Sequence, residues 1–154
     1  YMAKLSARYN ETVSLFVVHG SSRMCVERVE STFALRHIID IGETLPIERG
    51  ASGRLLLAYL PSEQVKEIVG QYDTDLEGML ERTRREGYTI SIGEREKGLA
   101  SIAAPVRSST GQVIAGIALS GPIERFVTED MSDKVRAVTD TADEISRALG
   151  WTSK

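Results

Sequence analysis

Residues 99–122 read Leu99-Ala100-Ser101-Ile102-Ala103-Ala104-Pro105-Val106-Arg107-Ser108-Ser109-Thr110-Gly111-Gln112-Val113-Ile114-Ala115-Gly116-Ile117-Ala118-Leu119-Ser120-Gly121-Pro122. Two runs of apolar and small residues flank Ser108-Ser109-Thr110-Gly111, a turn composition, so Leu99–Arg107 and Gln112–Ser120 are predicted as the strands of a hairpin, stopped by Gly121-Pro122. Successive strand residues point to opposite faces. Val113, Ala115, Ile117 and Leu119 therefore share one face, and Ile114, Gly116, Ala118 and Ser120 the other. A two-residue turn at Ser109-Thr110 sets Ser101 opposite Ala118, Ala103 opposite Gly116 and Leu99 opposite Ser120. The small residues of both strands then form one shallow floor with hydroxyls at its end. Such a floor suits either a small polar molecule or a closely packed helix. A bulge at Gly111 would slip the pairing by one residue and take Ser101 off it.

Outward from this hairpin, Thr12–His19 and Arg23–Glu30 are predicted as a first hairpin around Gly20-Ser21-Ser22. Ser31–Gly42 lacks clean periodicity and is expected to be a loop with a short helical turn. Thr44–Ile47 reads as a short strand, and Tyr88–Ile92 as another. Apolar residues at three-four spacing predict helices over Ser62–Gln71 and Thr74–Glu86, the second ended by Gly87. Ser132–Leu149 is predicted as a long closing helix with a seam of Val135, Val138, Ala142, Ile145 and Leu149. Hairpins in place of regular strand-helix-strand alternation predict an α+β fold, an antiparallel sheet flanked by helices.

The 154 residues are enough for one domain with a real core. A net charge of −3 and a pI near 5.5 argue against this stretch gripping a nucleic-acid backbone. No apolar run is long enough for a membrane helix, so no membrane partner is expected. Cys25 is the only cysteine, which excludes an intrachain disulfide and fits a reducing, cytoplasmic setting. The chain opens on Tyr1 inside an amphipathic segment in which Met2, Leu5 and Tyr9 recur at helical spacing. Residues 1–10 are accordingly expected to be the tail of a longer helix, and the chain a fragment of a longer protein.

A second stretch changes character abruptly: Glu48-Arg49-Gly50-Ala51-Ser52-Gly53-Arg54-Leu55-Leu56-Leu57-Ala58-Tyr59-Leu60-Pro61. It reads as a tight loop feeding a short buried helix, with Gly50 or Ser52 near the cap and Pro61 at the end. The first N–H groups of a helix lack internal partners and carry the positive end of its dipole, so this start offers a place for a small anion. The plainer reading is a capped core helix.

Four strings occur in order: Gly50-Ala51-Ser52-Gly53-Arg54 with its Leu/Ala helix, Gly93-Glu94-Arg95-Glu96-Lys97-Gly98, Ser101-Ile102-Ala103-Ala104-Pro105-Val106, and Leu119-Ser120-Gly121-Pro122-Ile123-Glu124-Arg125. Together they resemble the C-terminal, effector-binding domain of IclR-type transcriptional regulators, across essentially the whole chain. The resemblance implies a GAF-like fold and a cytoplasmic regulator. It also implies that a winged helix-turn-helix, absent here, binds DNA, with residues 1–10 ending the connection to it. It implies a small-molecule effector, often an organic acid, and self-association as dimer or tetramer. Carried over by position, the effector site comprises Ala51 and Ser52, Ser91 before the charged loop, Ser101 on one hairpin strand, and Ala118 and Ser120 on the other. Leu35 and Ile38 fall where the family places an apolar lid. Family members often carry an acidic residue at the position of Ser91, so this pocket is expected to be less polar.

Other constellations are weaker. His19 and His37 have no second ligand at metal spacing and read as a strand-end and a surface histidine; no metal or cofactor is expected. Cys25 reads as a small hydrophobe within a strand. The cluster Glu94 to Lys97 reads as a solvated loop, with Glu94 holding its shape, and Arg54 and Arg125 read as partners in structural ion pairs. No catalytic motif pairs a base with a nucleophile. A small enzyme acting on an organic acid, or a GAF-type sensor of another lineage, are the alternatives to a regulator's sensing domain.

Overall fold

The computed structural model describes residues 1–153. The elements run α1 (Met2–Tyr9), β1 (Thr12–His19), β2 (Ser22–Val29), β3 (Thr44–Pro46), α2 (Ala51–Ala58), α3 (Ser62–Val69), α4 (Thr74–Glu86), β4 (Thr89–Ile92), β5 (Leu99–Arg107), β6 (Val113–Pro122), α5 (Ile123–Phe126) and α6 (Ser132–Ala148). The strands form one antiparallel sheet in the order β3-β2-β1-β6-β5-β4, with helices on both faces, an α+β fold.

Strand alternation divides the core in two. On one face Val13, Ala100, Ile102, Ala104, Val106, Ala115, Ile117 and Leu119 pack with Leu5 of α1, Phe126, and Ala137, Val138 and Ala142 of α6. On the other, Phe16, Cys25, Ala103 and Ala118 pack beneath Leu55, Leu56 and Leu57 of α2, with Val65 and Leu80 from the helices behind. Gly116 lies under α2 because it has no side chain: a Cβ there would stand 3.0 Å from a Leu55 methyl carbon.

The central hairpin pairs differently from the two-residue-turn expectation. Ser101 lies opposite Ser120, Ala103 opposite Ala118 and Leu99 opposite Pro122. Two one-residue offsets add up. Gly111, at φ 86°, makes the loop three residues long, so that the Ser108 N–H donates to the Gln112 carbonyl; the ladder then shifts once more between Val106 and Arg107. Each offset alone would swap faces; together they restore the face, and Ser101 stays on the small-residue floor. β6 also runs on through Gly121 to Pro122, where a missing N–H interrupts no later rung.

Other expectations are corrected. Residues 31–42 form no helical turn; the segment is irregular and pinned by its carbonyls, with Thr12 Oγ1 donating to His37 O (2.7 Å) and Arg125 Nη2 to Leu35 O (2.9 Å). The buried stripe of α6 is Ala137, Val138, Ala142 and Ser146, with Val135 and Ile145 half-buried and Leu149 exposed. Small residues let the helix lie close to β5, and Leu149 sits at its cap, where the chain turns at Gly150. α4 is capped by Asp73, whose side chain accepts from the Leu76 N–H at 2.9 Å, and ends at left-handed Gly87 as its sequence predicts.

Candidate ligand-binding site

Between the start of α2 and the sheet lies a narrow cavity. Six expected site residues line it: Ala51 and Ser52 from α2, Ser91 from β4, Ser101 from β5, and Ala118 and Ser120 from β6. Gly50 is the residue that caps α2. Its φ of 86° belongs to the left-handed half of the map, which glycine enters without strain, and it has no side-chain capping bond. The first intrahelical bond is Arg54 N–H to Gly50 O, which leaves the earlier N–H groups without helical partners. Thr89 Oγ1 donates to Ala51 O at 2.7 Å and fixes this helix start to the sheet.

The floor carries a rung of hydroxyls across four adjacent strands. Thr12 pairs with Ser120, Ser120 with Ser101, and Ser101 with Ser91. The Ser101 and Ser120 hydroxyls bond each other at 2.7 Å. Thr12 is committed elsewhere, donating to His37 O and accepting from the Ser31 N–H. Ser52 and Ser91 are buried.

Leu35 and Ile38 do not join this cavity. These residues are 67% and 59% exposed, whereas His37 between them is buried and lines it. His37 is therefore a cavity residue and not a surface one. Its Nε2 lies 3.0 Å from Arg95 Nη2, while Nδ1 is buried without a partner. Burial, then the Arg95 and Arg23 charges, push its pKa down to about 4, so it is neutral near pH 7.

Sequence reading missed the cations. Arg23 is 3% exposed and lines the cavity together with Arg95. Its Nη1 donates to the carbonyls of Pro46 and, at 2.7 Å, Arg49, its plane lies over the Phe16 ring, and its Nε is buried without a partner. Burial, then the Arg95 charge, lower its pKa to about 10, which leaves it charged at neutral pH. Arg95 turns inward from the charged loop and pairs with Glu96 at 3.0 Å. No carboxylate lines the cavity among the described residues. Two guanidinium groups with no lining carboxylate give the pocket a field that favours an anion. The one available signal for Arg23 was its place two residues before Cys25, on the same face of β2.

Arg54 and Arg125 are occupied, as expected. Arg54 pairs with Glu94 at 3.1 Å and donates to Ile90 O; Arg125 holds Glu11 through two bonds of 2.5 and 2.9 Å. Gly121 lies against that Glu11 carboxylate, where a Cβ would come within 2.6 Å of Glu11 Cδ. Cys25 is fully buried. Among the described residues no group of three His, Cys, Asp or Glu gathers as a metal site, and no helix is long and apolar enough to cross a membrane.

The cavity has about 20 Å³ open to the centre of a water-sized sphere, room for roughly one water molecule. Admitting an organic acid requires the rim to move.

Comparison with known proteins places these features in context. The family described as bacterial transcriptional regulator IclR, C-terminal, matches residues 1–147. The HTH-type transcriptional regulator KipR of Bacillus subtilis is 32% identical, covering 98% of this chain and 65% of that protein. The HTH-type transcriptional regulator KdgR of Dickeya chrysanthemi is also 32% identical, covering 97% of this chain and 53% of its own length. A crystal structure of an IclR-family transcriptional regulator from Rhodococcus sp. superposes with a TM-score of 0.88 at 32% identity, covering 96% of this chain and 60% of that one. The chain therefore spans between half and two thirds of the relatives it matches.

Proposed function

The chain belongs to the IclR family of bacterial transcriptional regulators, matched in its C-terminal part, and on that premise we propose that residues 1–154 act as one effector-sensing domain that binds a small organic acid. The observation that carries this reading is the cavity at the start of α2: unpaired helix-start N–H groups, a hydroxyl rung, two guanidinium groups and no lining carboxylate. The relatives are transcriptional regulators and not enzymes. In the whole protein, occupancy of the cavity controls DNA binding by a winged helix-turn-helix domain to which α1 leads. The domain has a GAF-like fold, works in the cytoplasm and self-associates as dimer or tetramer. Ala51, Ser52, Ser91, Ser101, Ala118 and Ser120 contact the effector, and Leu35 and Ile38 reach it only through movement of the segment that carries them.

A thermal-shift screen of small organic acids tests the reading, because a ligand selective for the folded state raises its apparent stability. Titration calorimetry of the best acid against Ala118→Phe and Ser120→Ala then locates the site. Ala118→Phe is expected to abolish binding by filling the floor, and Ser120→Ala to weaken it by roughly 1–3 kcal/mol. Unchanged affinity in both variants places the site elsewhere.

A further inference from the structure

We propose that the ligand of this cavity carries two anionic groups and is a short dicarboxylate. This rests on the reading of the cavity as an organic-acid site and goes beyond it to the charge of the guest. The cavity has two distinct ends. At one, the start of α2 meets Arg23: a Cβ built on Gly50 would stand 3.2 Å from Arg23 Nη2. At the other lies the hydroxyl rung of Ser91, Ser101 and Ser120. The His37 backbone is tied beside that second end, because its carbonyl is held by Thr12, the neighbour of Ser120 on the same rung. Arg95 spans the two, bonding His37 through Nη2 while its Cβ stands 3.9 Å from a Cβ built on Gly50.

Arg23 has no carboxylate partner and Arg95 has only a solvent-exposed one, so two guanidinium groups are open to a guest. Arg23 is buried, bonded only to carbonyls, and its Nε has no partner. Arg95 has one carboxylate, Glu96, whose side chain is 59% exposed and so offsets it weakly. His37 Nδ1 is a second buried polar atom without a partner. A buried cation without a counter-charge is costly, and a single carboxylate leaves one end of the cavity uncompensated. One carboxylate bonded by Arg23 and the helix start, with the other on the serine rung beside His37 and Arg95, supplies partners to both ends. Any guest must widen the cavity, and three or four carbons require less widening than an aromatic body.

The experiment is titration calorimetry at fixed ionic strength with malonate against propionate, succinate against butyrate, and inorganic phosphate. The dicarboxylate is expected to bind at least tenfold tighter than the monocarboxylate of equal carbon count. Arg95→Gln, at a half-buried position and checked for folding by circular dichroism, is expected to weaken both acids and to reduce the dicarboxylate-to-monocarboxylate affinity ratio to threefold or less. Arg23→Gln is the larger change; if it does not fold, Arg95→Gln still decides. Equal affinities within each pair, or phosphate binding as tightly as either dicarboxylate, overturn the proposal and leave the organic-acid reading standing. Absence of binding by every acid to the folded wild-type protein overturns that reading and the proposal with it.

Discussion

The two faces of β5 and β6 are made by the same two strands and do opposite things. Toward α6 they present Ile102, Val106, Ile117 and Leu119, which close a dry apolar core. Toward α2 they present Ala103 and Gly116, which let the helix pack close, and Ser101, Ala118 and Ser120, which line the cavity. Neighbours in sequence therefore answer to different demands: Leu119 fills, and Ala118 abstains. A sheet with period-two alternation can carry a full core and a receptive floor at once, with no extra chain.

The comparison breaks most directly at Leu119. Leu119→Ala is expected to cost about 2–5 kcal/mol in urea unfolding. Its effect on ligand affinity, measured where the variant is folded, is expected to be small; a matching loss of affinity would mean that the two faces are not independent.

The next effect is acid sensitivity on the cavity face. His37 has its pKa lowered to about 4 in the folded state from an ordinary 6.5, facing Arg95 and Arg23. The unfolded chain therefore binds a proton through the window from 6.5 to 4 that the folded chain refuses. Stability falls as pH drops through that window, by a total of about 3 kcal/mol from this group. His37→Gln is expected to flatten that part of the pH–stability curve, as followed by thermal denaturation. An unchanged slope would mean that the imidazole is not held neutral.

The smallest effect belongs to the serine pair. Ser101→Ala removes the bond to Ser120 and is expected to cost about 1 kcal/mol of stability without ligand. A cost equal to that of Leu119→Ala would erase the distinction between filled and receptive faces.

Much of this was legible in the sequence, for identifiable reasons. Faces of strands follow from parity, so Ser101, Ala118 and Ser120 fell on one floor although their register was two residues out. The start of α2 was legible because Gly50 and Ser52 precede an apolar run. The cations were not. Arg95 sits in a string of charges that reads as solvated, and its inward turn accompanies the pairing of Glu94 with Arg54, a contact forty residues away in sequence. His37 lies in a segment with no periodicity, and its burial follows from a carbonyl bond to Thr12. The apolar residues beside it, Leu35 and Ile38, lie outside the cavity in this structure, because the backbone of that segment is what the protein holds.

The cavity's two guanidinium groups also bear on the lifetime of the protein. A domain that is strained when empty and relieved when filled has a population of open forms set by its ligand, and proteases act on open forms. At a ligand concentration 100 times Kd, open forms fall by about a hundredfold, roughly 2.7 kcal/mol. Abundance would then follow ligand supply through degradation.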